Sequence, residues 1–313
     1  MKERILCLVC AACIALAGCS PAQSTSTPQV ETKTEAAIER KSLNEYTWDE
    51  LSRISAQLTE SEKTDGYDAA RALAASYGLI DEDGSLTRQT KQIVLNDTRA
   101  LDVRLAGILH DDRSDGQGRA GLAFMTVGAL DIRPMNDEDT VEGGWEGSAL
   151  RSWLNGEARE MLDDDLAAAI VPVDKPTNNT GITEDFDSVS VTSDGLWLFS
   201  PREVCGDVNW DVDEYQGKRG DYNIDGLLNS EGNQYEAFAV EGVTQSSDPN
   251  GFLSLEPYTG ASPWWYRTPY PFDWVGVGDT GTNGYFYQVT ASGYPESLGS
   301  PQVPAAVVAG FCV

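Results

Sequence analysis

The chain has 313 residues, enough for one large domain or for a small one beside a larger one, and 50 acidic against 22 basic residues set its net charge at −28. A charge of that sign excludes polyanionic partners, since nucleic acid and anionic lipid surfaces would both be repelled. Thirty Gly, 14 Pro and 8 Trp describe a turn-rich chain with many loops rather than a helical bundle.

Lys2 and Arg4 open the chain, and Ile5 to Ala17 is an apolar run of about a dozen residues. Such a run is too short to cross a bilayer core of roughly 30 Å as a helix and fits the hydrophobic region of a signal peptide. It ends in Leu16-Ala17-Gly18-Cys19, small residues leading to a cysteine. This pattern predicts removal of residues 1–18 and lipidation of Cys19. The mature chain is then extracytoplasmic, anchored to the cell membrane or an outer membrane by more than one acyl chain, a stable attachment. Loss of Lys2, Glu3 and Arg4 with the leader leaves a net charge of about −29. Residues 19–42 are rich in Ser, Thr, Pro, Gln, Glu and Lys, and read as a flexible tether.

Residues 43–87 read as a small helical segment. Thr47 and Glu50 form a capping-box pair, and Trp48, Leu51, Ile54 and Leu58 recur at helical spacing. A second helix runs over Tyr67 to Tyr77 and stops at Gly78. The two have too little core to stand alone, so they are expected to pack on the body formed by the later residues. From residue 88 the pattern becomes strand-like: Leu101, Val103 and Leu105 alternate with Asp102 and Arg104, and Leu122 to Val127 is a short buried run. Ser148 opens a helix ending at Asn155-Gly156, a second helix covers Glu157 to Ala168, and Ile170-Val171 is a strand. After Pro176 the chain reads as turns and short strands at Val189–Val191, Leu196–Phe199, Trp264–Arg267, Phe272–Val277, Tyr285–Val289 and Ala305–Val313. Together these give an α+β, loop-rich fold.

Only Cys205 and Cys312 remain in the body once the leader is gone and Cys19 is lipidated. In an oxidising compartment they predict one disulfide, closing a loop of about a hundred residues and contributing roughly 4–5 kcal/mol, with two buried free thiols as the alternative. His110 is the single histidine, so any Ser-His-Asp or Cys-His arrangement would have to use it; a solvated histidine is the simpler reading. Zinc, which needs several Cys or His ligands, does not suit this inventory, and no Gly-rich phosphate loop is present. Asp221-x-Asn223-x-Asp225-Gly226 matches the opening of a calcium loop, with Asn229 ninth but Gly232 in the twelfth place where a bidentate Glu belongs. A polar turn explains the same residues. Asp207, Asn209, Asp211 and Asp213 alternate upstream as a weaker candidate. Trp264, Trp265, Tyr266, Tyr270 and Trp274 cluster closely, either as core or as a platform on which sugar rings or apolar ligands stack.

Four pieces stand in order: Trp145-Glu146-x-Ser148-x-Leu150-Arg151-x-Trp153-Leu154-Asn155, Leu196-Trp197-Leu198-Phe199-Ser200, Glu231-Gly232-x-Gln234-Tyr235-x-x-Phe238 and Trp264-Trp265-x-Arg267-Thr268-Pro269. Over residues 88–313 the chain thereby resembles the bacterial family called domain of unknown function 6273, although Val307-Val308-Ala309 replaces that family's usual Arg-Pro-Ala before Phe311. The resemblance implies a C-type-lectin-like fold, similar also to the formylglycine-generating-enzyme type: a loop-rich, twisted antiparallel sheet with two helices. Such enzymes use paired cysteines, and Cys205 and Cys312 lie too far apart in sequence to suggest that activity. Arg151 and Arg267, inside the motifs of an acidic chain, are each expected to hold a carboxylate or loop carbonyls. The expectation is a surface lipoprotein whose lectin-like module binds an external glycan or protein without catalysis. The alternatives are an extracellular hydrolase using carboxylates and a structural or adhesive envelope protein.

Overall fold

The computed structural model describes residues 37–181, 183, 185–208, 224–245, 248–255, 262–271 and 284–313, except the side chains of Ile224 and Asp225. The chain starts with a 3-10 turn at Leu43–Glu45 and two helices, α1 (Trp48–Asp65) and α2 (Tyr67–Ser76). Strands β1 (Thr90–Val94), β2 (Ala100–Ile108), β3 (Leu122–Val127) and β4 (Ile132–Arg133) come next. Then come helices α3 (Ala149–Asn155), α4 (Glu157–Glu160) and α5 (Asp164–Ala169), and the hairpin of β5 (Val173–Asn178) and β6 (Val189–Asp194). The last part holds β7 (Leu196–Leu198), α6 (Pro201–Cys205), α7 (Ile224–Asn229), α8 (Glu236–Val240), β8 (Trp264–Pro269), β9 (Phe286–Val289), β10 (Ser297–Gly299), β11 (Ala305–Ala306) and β12 (Ala309–Cys312).

These strands make two five-stranded sheets, in the orders β1-β2-β3-β12-β7 and β10-β9-β8-β11-β4, and the separate β5–β6 pair. Every pairing between these strands is antiparallel except that of β11 with β8. The molecule is thus a mixed α+β fold with antiparallel sheets and short helices. The C-terminal segment ties the two sheets together: β11 lies in one, and after Val307-Val308 the chain enters the other as β12, between β3 and β7.

The amphipathic pattern of the first helix is realised. Leu51, Ile54 and Leu58 are fully buried, and the Thr47–Glu50 capping box forms at its start. Trp48 meets Phe124 edge-on at 5.4 Å and Phe311 at 5.9 Å, so α1 sits on β3 and β12. The approach is close enough that a Cβ on Gly121 would lie 2.2 Å from the Ser55 carbonyl oxygen. The single helix read over residues 157–168 is two, α4 and α5, because Asp163 caps a fresh start by accepting from the Leu166 amide. Ile170-Val171 contributes one bridge, Val171 to Cys312, rather than a strand. The strand read at Phe272–Val277 lies outside the described residues.

Candidate functional site

The last three motifs converge on a buried ionic core. At the end of β2, Leu109 takes a positive φ of 52° while its amide donates to the Gly121 carbonyl. That left-handed step, rare for a branched residue, turns His110 and Asp111 out of the strand direction. β5 supplies Lys175, Thr177 and Asn178, all fully buried. Ser200 caps α6 reciprocally with Glu203: the Ser200 amide donates to Glu203 Oε2 at 3.0 Å and the Glu203 amide to Ser200 Oγ at 3.1 Å. The cap fixes where that carboxylate points. β8 brings Arg267 and Thr268, the 231–235 segment brings Glu231 and Tyr235, and β12 brings Cys312.

Lys175 is the hub. Its Nζ lies 2.5 Å from Asp111 Oδ1, 3.1 Å from Glu203 Oε1 and 2.6 Å from the Tyr235 hydroxyl, with the Trp197 ring centroid at 4.1 Å. The Tyr235 hydroxyl is 2.8 Å from both Asp111 oxygens. Arg267 grips Glu203 with its fork and also donates to Thr177 Oγ1 at 2.7 Å and to the carbonyls of Leu198, Pro176 and Glu231 at 2.9, 3.1 and 3.0 Å. Two cations thus face two carboxylates, which is how buried charge is tolerated. Burial alone would raise the pKa of both acids. In Asp111 the charges of Lys175 and His110 outweigh it, and in Glu203 those of Arg267 and Lys175 do, so both carboxyls stay below their ordinary range.

Glu231 behaves differently. It is fully buried; its Oε1 accepts the Asn178 amide at 2.8 Å and its Oε2 pairs with the Thr268 hydroxyl. Burial dominates over the nearby Arg267, pushing its pKa up from 4.5 to about 7.

A second buried carboxylate organises the first motif. Asp194 accepts from Trp145 Nε1 at 2.8 Å, Thr192 Oγ1 at 2.7 Å and Arg151 Nε at 2.6 Å. Asn155 latches the start of β7 through the Leu196 carbonyl and the Gly195 amide. Arg151 and Arg267 therefore do what their position in an acidic chain implied: each holds a carboxylate and loop carbonyls.

Other expectations are corrected. No disulfide joins Cys205 to Cys312: both are free buried thiols, on α6 and β12. Cys205 Sγ lies 3.8 Å from the Tyr266 hydroxyl, and Cys312 Sγ points at Asp111 Oδ2 3.5 Å away. Burial pushes the Cys205 thiol up to about 12 and holds Cys312 above the ordinary thiol range, with Asp111 adding to the latter. Neither is a ready nucleophile. His110 is not a freely solvated side chain. It stacks on Tyr235 at 3.7 Å, with Nδ1 3.2 Å from Asp111 Oδ1 and Nε2 3.1 Å from the Asn233 carbonyl oxygen.

The aromatic platform is also corrected. Trp264, Trp265 and Tyr266 are at most 1% exposed, and the two indoles donate to the carbonyls of Leu253 and Arg133. They are core. Trp274 lies outside the described residues, as do Cys19, Asp221, Asn223, Asn209, Asp211, Asp213 and the side chain of Asp225. Asp207 is described and pairs with Arg202. Among the described residues no group of three or more His, Cys, Asp and Glu is placed to hold a metal.

One open cleft lies beside this core, between β3 and the 252–255 turn. It is shallow, with a cavity volume of about 30 Å³, room for about one water, and Met125, Val127, Phe252, Leu253, Leu255 and Trp264 form its walls. The Arg104 guanidinium lies 4.7 Å over the Phe252 ring at one side of it. Trp264 reaches the cleft only as part of its wall.

Sequence reasoning missed Lys175, Asp111, Glu203 and Glu231 as a unit. Glu231 and Tyr235 stood inside a motif, and Ser200-x-x-Glu203 is a readable capping box, but Lys175 in Val173-Asp174-Lys175-Pro176 carries no local signal.

Fold and site together define an α+β domain whose recurrent Trp, Arg, Glu and Tyr residues build a buried polar centre. The chain belongs to the family described as Domain of unknown function (DUF6273), whose match covers residues 110–297. No curated protein and no solved structure matches it.

Proposed function

We propose that the protein is an exported, lipid-tethered binding module with a C-type-lectin-like body, and that it recognises an external glycan or protein at the cleft beside β3. The observation that carries the reading is the contrast between centre and rim. The charged residues of the centre are turned inward and satisfied by one another, with Lys175, Glu203 and Arg267 at most 1% exposed, so they serve as scaffold. The cleft is open, lined largely by apolar side chains and has the Arg104 cation beside it, so it would serve as a shallow contact point for a ligand lying across the surface rather than as a pocket that encloses one. The antiparallel sheets, few helices and long connections agree with a lectin-like body. The leader and Cys19 supply the address, and the sequence spacing of Asp221, Asn223 and Asp225 suits calcium ligation. Glu203 and Glu231 are sealed by Arg267 and Thr268, so these two carboxylates are not accessible to a substrate for hydrolysis.

Glycan-array binding of the full chain, in calcium and again in chelator, tests the proposal. Selective binding is expected, reduced about tenfold or more by Phe252→Ala with the fold retained. Loss in chelator would support calcium ligation by Asp221, Asn223 and Asp225. Binding indifferent to Phe252→Ala would remove the cleft from the proposal. No binding to glycans, and none to surface proteins captured by crosslinking in place, would overturn the module reading.

A further inference from the structure

We propose that Lys175 and Asp111 are joined by an intramolecular isopeptide bond, formed autocatalytically in the folded protein with Glu203 as the proton-transferring group. An amide between a lysine amine and a carboxyl side chain needs close approach, exclusion of water, a base for the amine and a donor for the carboxyl oxygen. All four meet here. Lys175 Nζ lies 2.5 Å from Asp111 Oδ1, and both side chains are at most 4% exposed. Trp197 and Tyr235 wall the amine, their ring centroids 4.1 and 5.1 Å from Nζ. Glu203 Oε1 is 3.1 Å from Nζ, held in place by Arg267 and by the Ser200 cap. The Tyr235 hydroxyl, 2.8 Å from either carboxyl oxygen, is placed to stabilise the oxyanion of a tetrahedral intermediate, its ring held by stacking on His110.

The step balances without a co-reactant. Lys175 begins as an ammonium with three protons, and Asp111 as a carboxylate. A proton passes from Nζ through Glu203 to one Asp111 oxygen, the freed lone pair attacks Cγ of the now neutral carboxyl, and the carbonyl π pair moves onto the other oxygen. A second nitrogen proton leaves as the intermediate collapses. Glu203 relays both protons to one Asp111 oxygen, which departs as water. One C–N bond forms, one C–O bond breaks, and Glu203 returns to its starting state. Low dielectric favours the reaction, because it replaces a buried ion pair by a neutral amide. The bond would tie the end of β2 to β5, a hairpin otherwise outside both five-stranded sheets. It would provide a covalent brace in a body whose two cysteines are free thiols.

Peptide mapping of the full chain decides the matter. Trypsin does not cleave before Pro176, so it releases residues 105–113 with Asp111 and residues 160–202 with Lys175. The expected product is one branched peptide, lighter by one water than the two together. Lys175→Arg keeps a cation and should yield the two linear peptides. Tyr235→Phe, which keeps the ring against Phe199 and His110, should leave a mixture. Recovery of both linear peptides, unmodified, from folded wild-type protein would overturn the proposal. So would a water loss confined to the Asp111 peptide, since that marks a succinimide. Thermal unfolding gives a second reading: Lys175→Arg should lower the midpoint by roughly 10 °C if it removes a cross-link over this loop. An unchanged midpoint would count against a bond in the wild type.

Discussion

Glu231 is a fully buried acid whose pKa is pushed up to about 7 by burial. Below its ordinary value the folded and unfolded chains both hold the proton. As pH rises the unfolded chain releases it first, so stability falls between about pH 4.5 and 7, by about 3 kcal/mol in all. Glu203, held low in the fold, acts in the opposite sense: its contribution is present above the usual carboxylate range and lost as pH falls through it. The two slopes enclose a stability maximum near about pH 4–5. Glu231→Gln keeps the shape and removes the proton. Urea denaturation from pH 4.5 to 7.5 should show a falling midpoint in the wild type and a nearly flat one in the variant. Equal slopes in both would mean that the burial of Glu231 does not control its charge. Arg267 gives the complementary case. Its fork satisfies Glu203, Thr177 and three carbonyls at once. Arg267→Ala leaves these without donors and should cost about 3–5 kcal/mol. Arg267→Lys should recover little, because an ammonium cannot reproduce a planar fork; full recovery would show that charge alone matters there.

The helical segment at residues 43–87 and the two sheets share one set of contacts. Trp48 packs on Phe124 and Phe311, the Ser55 hydroxyl donates to the Val313 carbonyl, and the Gly121 amide donates back to Ser55 Oγ at 2.9 Å. Ile54→Ala should therefore destabilise the whole body by about 2–5 kcal/mol, with far-ultraviolet dichroism and tryptophan fluorescence melting together. A lowered helical signal ahead of an unshifted tryptophan transition would instead make α1 and α2 an independent unit. α1 was readable because its buried residues obey the helical period and its cap is local, and the same holds for α3, opened by Ser148. β3 was readable as a short apolar run between Gly121 and Gly128, whereas the single strand read over Ala305–Val313 is divided at Val307-Val308 into β11 and β12, which enter different sheets. β5 was not, for a physical reason: its inward residues Lys175 and Thr177 are polar because the strand faces the ionic core, and Pro176 reads as a turn. In the hairpin, Pro176 stands opposite Val191 and offers its carbonyl to Arg267. The ionic core could not be assembled from spacing, since Asp111, Lys175, Glu203 and Arg267 meet only after β2, β5, α6 and β8 have been placed. The aromatic run at 264–266 was readable as a strand, but which way its rings face depends on a second sheet closing over it.

Because the two buried cations and two buried carboxylates of the Lys175 centre cancel, the net charge of −28 must be carried by the rest of the chain, mostly at its surface. An acidic body is repelled by an anionic membrane, by an energy that decays over about 10 Å at moderate salt. Ile38, Lys41 and Ser42 already pack on the body, so the expected tether shortens to residues 19–37; if those residues serve as one, they are long enough to exceed that distance and would let the body stand off while the lipid holds. Among the described residues no helix is long and apolar enough to cross a membrane. If the acyl chains on Cys19 are the attachment, high salt should not release the wild-type protein from membranes and detergent should. Its N-terminal peptide should begin at Cys19 and carry the diacylglyceryl mass. Cys19→Ala should abolish acylation and leave residues 1–18 uncleaved, since the lipid is added before the cut. The extra mass of the retained leader distinguishes this from simple loss of expression. A wild-type N-terminus elsewhere, or an unmodified Cys19 thiol in the membrane fraction, would remove the tether from the account and leave the acidic body without an anchor.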